Sequence, residues 1–512
     1  MHPQHAGTAS KRVSRRSFLG GLGAGAAAMT LDLDAAIAAS ERAQATGALA
    51  NTFGRVFALP PFAGATSQVK AALMEMGRLG GIMDAKDPLQ EGPIRLITNP
   101  ELSPGNRDNP FHTAGTTFLG QFLDHDMTFD ATSPLGVPTA PESSPNARTP
   151  IFDLDTVYGG GPAAGPQFYN ADRLTFKVES GGQFEDLPRD AGRRAIIPDG
   201  RNDENLMISG LHAAFLLFHN RVVARLRSEG VPTEQLFATA RRTVTWHYQW
   251  IILREFLPQL IGQPLIDHIL HFGRQFYRPA GAAFIPVEFQ IAYRMGHSMV
   301  RPSYRANLAG DGGQPFFGFI FDPAGQGQSD PVDLRGGARA RRRFIGWQTF
   351  FNFNDGQVRP NKRIDTKISS PLFQLPQAAI PGGGQPISLA QRNLLRHLTW
   401  SLPSGQRIAT TMGIPLIDAG ELSVFRAGFE TSTPLWYYVL KEGQALGDGI
   451  ILAGVGARLI GEVFVGLLQK DPGSFLSAAP SWRPTLPSRT AGTFTMVDLL
   501  TFAKVDPASR GQ

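Results

Sequence analysis

Residues 117–129 read TFLGQFLDHDMTF, and the spacing predicts a helix. Gln121 and His125 are four apart and share one face, which Phe118 and Phe129 extend. Asp126 is turned about 100° away from His125. One short helix thus offers an imidazole and an amide to an apolar cleft, and a carboxylate to a different neighbour. Taken alone, the pattern also suits a core histidine with a satisfied hydrogen bond.

Two further segments carry charge where a plain helix would not. Residues 199–205, DGRNDEN, precede an apolar stripe of Leu211, Phe215, Phe218, Val222 and Leu226, the spacing of a buried helix. That helix should stop before Gly230 and Pro232. Asp203 or Glu204 can cap its start, but the positive charge of Arg201 is disfavoured at that end and reads as a placed charge. Residues 292–300, AYRMGHSMV, put His297 on an otherwise apolar helix with Arg294 one turn before it. Gly296 lets a partner approach closely. A buried histidine of this kind can ligate haem iron, and a hydrogen bond to its other nitrogen tunes the metal.

Around these segments the chain reads as mainly α, with long loops and very little β. Further helices are expected over about 236–262, led by Thr233, over 286–300, after Ser388 as N-cap, and over 456–469. Residues 39–110 read as an irregular N-terminal arm rich in Gly and Pro, followed by one large unit over 111–512; no internal repeat is present. The run Arg339, Arg341, Arg342 and Arg343 reads as a solvated face. His112, His212, His219, His247, His268, His271 and His397 read as core, capping or surface residues.

Composition narrows the classes. The 512 residues are 42% hydrophobic and 18% charged, enough to bury a core. There is no cysteine, which excludes disulfide frameworks, zinc–cysteine sites and iron–sulfur clusters. A net charge of +6 on this length is mild and gives no reason to expect nucleic acid as a partner. Ser14-Arg15-Arg16-Ser17-Phe18-Leu19 is a twin-arginine pattern, followed by a weakly apolar stretch to Leu31 and by Ala36-Ile37-Ala38, a small-residue cleavage pattern. That stretch is shorter than the roughly 20 residues of a membrane span. Residues 1–38 are therefore expected to be a signal peptide for the Tat export machinery, with a periplasmic or secreted destination and no transmembrane segment.

The segments GQFLDHDMTF, DGRNDEN and AYRMGHSMVRP, in that order, resemble the animal-type haem peroxidase superfamily, the peroxidase–cyclooxygenase group, in a bacterial form. The likeness covers roughly 110–500. FDLDTVYG at 152–159 and LAQRNLLRHLTWSLPSGQ at 389–406 agree with it. The resemblance implies a helical fold around a buried haem b. It makes His125 the distal histidine, Gln121 its neighbouring glutamine, Arg201 the distal arginine and His297 the proximal iron ligand. Asn393 falls on the partner of the proximal imidazole, and Arg294 and Arg396 on arginines near the haem and its propionates. Asp124 and Glu204 match two carboxylates that form ester bonds to the haem in many members. Asn205 stands where one mammalian member has a methionine that makes a sulfonium link, so that link cannot form here.

The same resemblance implies a calcium site of Asp126, Thr149, the Ile151 carbonyl, Asp153 and Asp155, in which Asp155 replaces the usual serine. The implied function is a haem peroxidase that reduces H2O2, oxidises a halide, thiocyanate or small organic donor through a ferryl intermediate, and serves in the response to oxidative stress. Two alternatives belong to the same fold: a fatty-acid dioxygenase or cyclooxygenase, and a non-enzymatic adhesion protein. The cyclooxygenases carry a radical-forming tyrosine three residues before the proximal histidine; here that place holds Arg294, and Tyr293 is one residue off.

Overall fold

The computed structural model describes residues 51–180, 184–322, 331–380, 383–422 and 428–512. The twin-arginine segment 1–38 lies outside the described residues. The architecture is mainly helical, and among the described residues strands pair only in twos.

The first predicted helix runs Ala114–Met127 and is buried along most of its length. It packs against helix Leu206–Ser228, where Phe122 stacks on Phe215 at 4.7 Å with the rings nearly parallel. Helix 206–228 starts where Asn205 accepts from the Ile208 N–H at 3.0 Å, and it ends at Glu229 before a left-handed Gly230. The expected caps are therefore corrected. Neither Asp203 nor Glu204 caps this helix: Asn205 does, because its side chain reaches the third N–H of the first turn. From Leu206 to Val223 almost every residue is buried, which makes this the interior helix. By length and apolar composition it could cross a membrane, but most of that window is packed inside the fold.

Helix Thr233–Ile251 passes through a π-turn at Ile252–Phe256 into Leu257–Ile261, one rod over most of the predicted range. Helix Leu389–Thr399 is capped by Ser388, and Gly454–Lys470 covers the last predicted helix. The 286–300 segment differs from expectation. It is a short α-helix, Val287–Ala292, that tightens into a 3₁₀ stretch over Tyr293–Met299. With three residues per turn, Arg294 and His297 stack one above the other. The hairpin Ser303–Asp311 with Gln314–Phe319 follows it.

The stretch from residue 51 to 110 contains helices Ser67–Met76 and Gly92–Thr98 and sends Phe53, Phe57, Phe62, Leu73 and Met83 into the core. Buried Glu288 accepts from the N–H groups of Val56 (3.1 Å) and Phe57 (3.2 Å), which pins this stretch to the helix that leads into His297.

The basic run at 339–343 is not a solvated face throughout. Arg339 and Arg343 are buried, while Arg341 is exposed. Arg343 donates to the carbonyls of Pro331 and Asp333, and Arg339 lies 3.9 Å from Asp186. Loop carbonyls and a carboxylate from elsewhere in the chain replace the water that a basic run ordinarily keeps.

Candidate active site

Helix Ala114–Met127, the turn Gly200–Asp203, the 3₁₀ stretch Tyr293–Met299 and helix Leu389–Thr399 surround one cavity of about 240 Å³. Gln121, Asp124, His125, Arg201, Glu204, Arg294, His297 and Arg396 all line it. These residues span 275 positions of sequence between Gln121 and Arg396, and the fold brings every one of them to the same walls.

His125 is buried, and burial with the nearby Arg201 charge lowers its pKa to about 3, so the ring is neutral. Its Nδ1 lies 2.8 Å from Asn202 Oδ1. A carbonyl oxygen can only accept, so Nδ1 carries the proton and Nε2 is a bare base. That nitrogen stands 3.8 Å from Glu204 Oε1. Gln121 Nε2 donates to the same Glu204 oxygen, and Asn205 Nδ2 donates to Gln121 Oε1 at 3.2 Å. The position of Asn205 is thus occupied by a cap and an amide chain.

Arg201 donates from Nη2 to the His125 carbonyl at 3.0 Å and lies over the Phe129 ring at 4.3 Å. Its charge is answered by Asp199 at 2.7 Å, and Arg148 holds the same carboxylate from the other side at 3.0 Å. Burial alone would raise the Asp199 pKa, but Arg201 and Arg148 hold it far below the usual carboxylate range. Burial pushes Glu204 up to about 8, which favours its neutral form, and raises Asp124 above the usual carboxylate value. Thr128 donates its hydroxyl to Asp124 at 3.0 Å.

On the other wall, burial and the Arg294 charge lower His297 to about 3, so this ring is also neutral. His125 and His297 line the same cavity. Asn393 touches His297 Nδ1 at 2.7 Å, as expected, but with its NH2 rather than its oxygen. Arg294 donates to Asn393 Oδ1 at 2.8 Å and so turns the amide. An NH2 can only donate, which leaves the His297 proton on Nε2. Metal ligation through Nε2 requires the opposite amide orientation.

The cavity fits a haem on two observations. Arg294, Arg392 and Arg396 crowd one edge, and burial together with the charge of Arg396 lowers Arg294 and Arg392 to about 10; that concentration of positive charge suits a pair of propionates. Gly296 lines the cavity beside His297, and a Cβ there would meet nothing within 4 Å, so the backbone is open to a flat group.

The expected calcium ligands lie outside the cavity. Asp126 is fully buried and accepts from Leu154 N (3.2 Å), Thr156 N (3.3 Å) and Tyr248 Oη (3.0 Å). Burial and repulsion from Asp153 and Asp155 raise its pKa well above the usual value, and burial with Asp155 raises Asp153 to about 6. Thr149 donates to Asp153 at 2.9 Å, while Arg148 pairs with Asp155 at 2.9 Å. Carboxylates and a hydroxyl are the hard-oxygen chemistry that Ca²⁺ takes, but Thr149 and Arg148 already engage Asp153 and Asp155. Among the described residues no three such groups converge as a ready-made metal cluster.

Sequence reasoning missed Asp199, Asn202, Arg148 and Arg392. Asp199 and Asn202 stand inside a quoted motif, but their partners Arg148 and His125 come from distant parts of the chain.

Comparison with known proteins finds relatives of part of the chain and of its fold. The family profile "Animal haem peroxidase" matches residues 133–313, a stretch that contains Arg201, Glu204 and His297. Eosinophil peroxidase of Mus musculus is 29% identical over 178 residues, 31% of this chain and 25% of that protein. Thyroid peroxidase of Homo sapiens is 24% identical over 194 residues, 32% of this chain and 20% of that protein. The chain thus matches about a quarter or less of the length of these curated relatives. Peroxidase A from Dictyostelium discoideum shares the fold with a TM-score of 0.59 at 17% identity, over 89% of this chain and 93% of that one. A fatty acid alpha-dioxygenase of Arabidopsis thaliana superposes with a TM-score of 0.50 at 15% identity, over 87% and 81%. The fold is that of these helical proteins, and it brings His125 and His297 to the walls of one cavity. Over residues 133–313 the chain is thus similar to animal haem peroxidases.

Proposed function

We propose that this protein is a haem peroxidase that reduces H2O2 and oxidises a small donor, a halide, thiocyanate or organic molecule. One observation carries the reading: two neutral imidazoles from separate parts of the chain line a single cavity, one with an arginine beside it and one with a buried amide behind it.

Haem, when bound, supplies an iron that takes up the oxidising equivalents of the peroxide and passes them to a donor. His297 would hold that iron, with Asn393 turned to accept from Nδ1–H. His125 Nε2, bare and neutral, takes the proton from one peroxide oxygen and returns it to the other as water leaves. Arg201, held in place by Asp199, donates to the negative charge that develops on the departing oxygen. Arg294, Arg392 and Arg396 would receive the propionates. Asp124 and Glu204 would form the ester links; esterification suits carboxyls whose burial already disfavours charge. Asp126, Thr149, the Ile151 carbonyl, Asp153 and Asp155 would hold Ca²⁺. Export by the twin-arginine route to the periplasm or medium completes the reading, and sequencing the mature N-terminus checks it.

The test is turnover of the haem-loaded protein with H2O2 across a donor panel. Donor oxidation that depends on H2O2 is expected; haem loading with no turnover on any donor would contradict the reading and revive a non-enzymatic role. Acid–acetone should fail to extract the haem if the esters form. An oxygenase is the second reading, since the fold is shared with a dioxygenase. Tyr293 does line the cavity, but its hydroxyl donates to the Gly120 carbonyl at 3.0 Å, a group that cannot take the proton a tyrosyl radical must release. Oxygen uptake with a polyunsaturated fatty acid and no added peroxide would favour the oxygenase.

A further inference from the structure

We infer that Asn202 is the positioning residue of the distal histidine: its amide fixes the His125 ring and keeps the proton on Nδ1, so that Nε2 meets the peroxide as a base. The inference rests on the peroxidase reading and adds to it a residue that acts through His125.

A neutral imidazole has two tautomers, and only one leaves Nε2 free to accept a proton. Among the described residues, Asn202 is the hydrogen-bond partner of His125 Nδ1. Asn202 is fully buried and presents Oδ1 to His125 Nδ1 at 2.8 Å. The amide is itself locked. Its two N–H groups donate to Thr156 Oγ1 at 2.8 Å and to His212 Nδ1 at 2.9 Å, both buried. Turning the amide over would require three protons to be placed differently at once, on His125 Nε2, on His212 Nδ1 and in a donating Thr156 hydroxyl. His212 is thereby given a role that its placement on an interior helix did not suggest.

The same turn also carries Arg201 and its carboxylate Asp199. One four-residue turn therefore sets both distal groups: Asp199 holds the arginine and Asn202 orients the histidine. Thr156 extends the chain of contacts, because its own N–H donates to Asp126, the residue after His125. The distal helix and the loop at 153–156 are thus tied at two adjacent positions, one by backbone and one through Asn202.

The experiment compares haem-loaded wild type with Asn202→Leu and Asn202→Asp. Both variants lose the two N–H donations, so a purely structural role would lower both melting temperatures and both rates alike. Only Asn202→Asp keeps an acceptor for His125 Nδ1–H. Stopped-flow rates of the Soret change with H2O2, and of cyanide binding, are the readouts; cyanide enters as HCN and must also lose a proton, with no turnover involved. Asn202→Leu should slow both by about tenfold or more, a part of the roughly 10²–10⁴-fold that a positioned base contributes, and Asn202→Asp should be slowed clearly less. Equal losses in the two variants, or a wild-type rate in Asn202→Leu, would overturn the inference. Should Asn202→Leu yield no haem-loaded protein, Thr156→Val against Thr156→Ser decides: the valine variant should be slower and the serine variant normal, and equal rates would overturn it. A wild-type protein that takes up no haem, or whose Soret band ignores H2O2, sinks the peroxidase reading itself and this inference with it. That failure appears before any variant is compared.

Discussion

Asp199 shows how much a single side chain holds here. It is buried between two guanidinium groups that share its single charge, and Asp155 also answers Arg148. Asp199→Asn keeps the shape and removes the charge, leaving Arg148 and Arg201 buried with a shared neutral neighbour. Breaking a buried pair in this way typically costs about 3–5 kcal/mol. Urea unfolding should report a loss of that order, and peroxide reactivity should fall because Arg201 is no longer anchored; unchanged stability would contradict the assignment. His125→Ala should keep its haem but react with H2O2 about 10²–10⁴-fold more slowly, the range for removing a positioned base. At this scale the sequence is legible where a residue type is unusual for its setting. An imidazole on an apolar helix and an arginine at a helix start both stand out, and His125, Arg201 and His297 do line one cavity. Asp199 and Asn202 did not stand out, because an acid and an amide in a polar turn look solvated until the arginine and the imidazole they serve arrive from elsewhere. Arg339 and Arg343 look wet in the same way, although the fold supplies a carboxylate to the first and carbonyls to the second.

Elements with strong periodicity and clear stops read well. Helix 206–228 ends at Gly230 as expected, and Ser388 caps the helix that carries Asn393 and Arg396. The segment that holds His297 read less well. Its apolar run suggests one α-helix, but from Tyr293 onward it tightens to 3₁₀, a choice made by packing rather than by propensity. Two predictions belong to elements. Removing Ca²⁺ with a chelator should lower the melting temperature, because Asp126, Asp153 and Asp155 would then repel one another uncompensated inside the fold; an unchanged melt after exhaustive dialysis would discard the site. Glu442 lies under the start of helix Gly454–Lys470 and accepts from Gly456 N at 3.1 Å. Burial raises it from 4.5 to about 7. Its contribution is therefore complete below pH 4.5 and is lost as the pH rises through about 7, a change of about 3 kcal/mol. Wild type should lose stability relative to Glu442→Gln between pH 5 and 8, and parallel pH profiles would contradict this.

At the scale of the whole molecule, the distal groups come from 121–125 and 199–204, and the proximal groups from 294–297 and 393–396. The interior helix 206–228 and the stretch from residue 51 hold these walls in register, through the Phe122–Phe215 stack and the Glu288 contacts. The order of the main helices follows from sequence pattern, although helices such as Gln263–Phe272 and Leu435–Leu446 are not among those expected; their convergence on one cavity does not follow, and came instead from likeness to a family. A ligand that binds only the folded walls stabilises the whole, so haem should raise the melting temperature of the protein and protect it from protease.

The most direct test is the Soret spectrum and haem content of purified wild type, His125→Ala and His297→Ala, measured side by side. Two imidazoles facing one porphyrin predict one haem per chain in wild type and in His125→Ala, with the haem lost or its band displaced only in His297→Ala. Three identical spectra, or a wild type that takes up no haem, would contradict it.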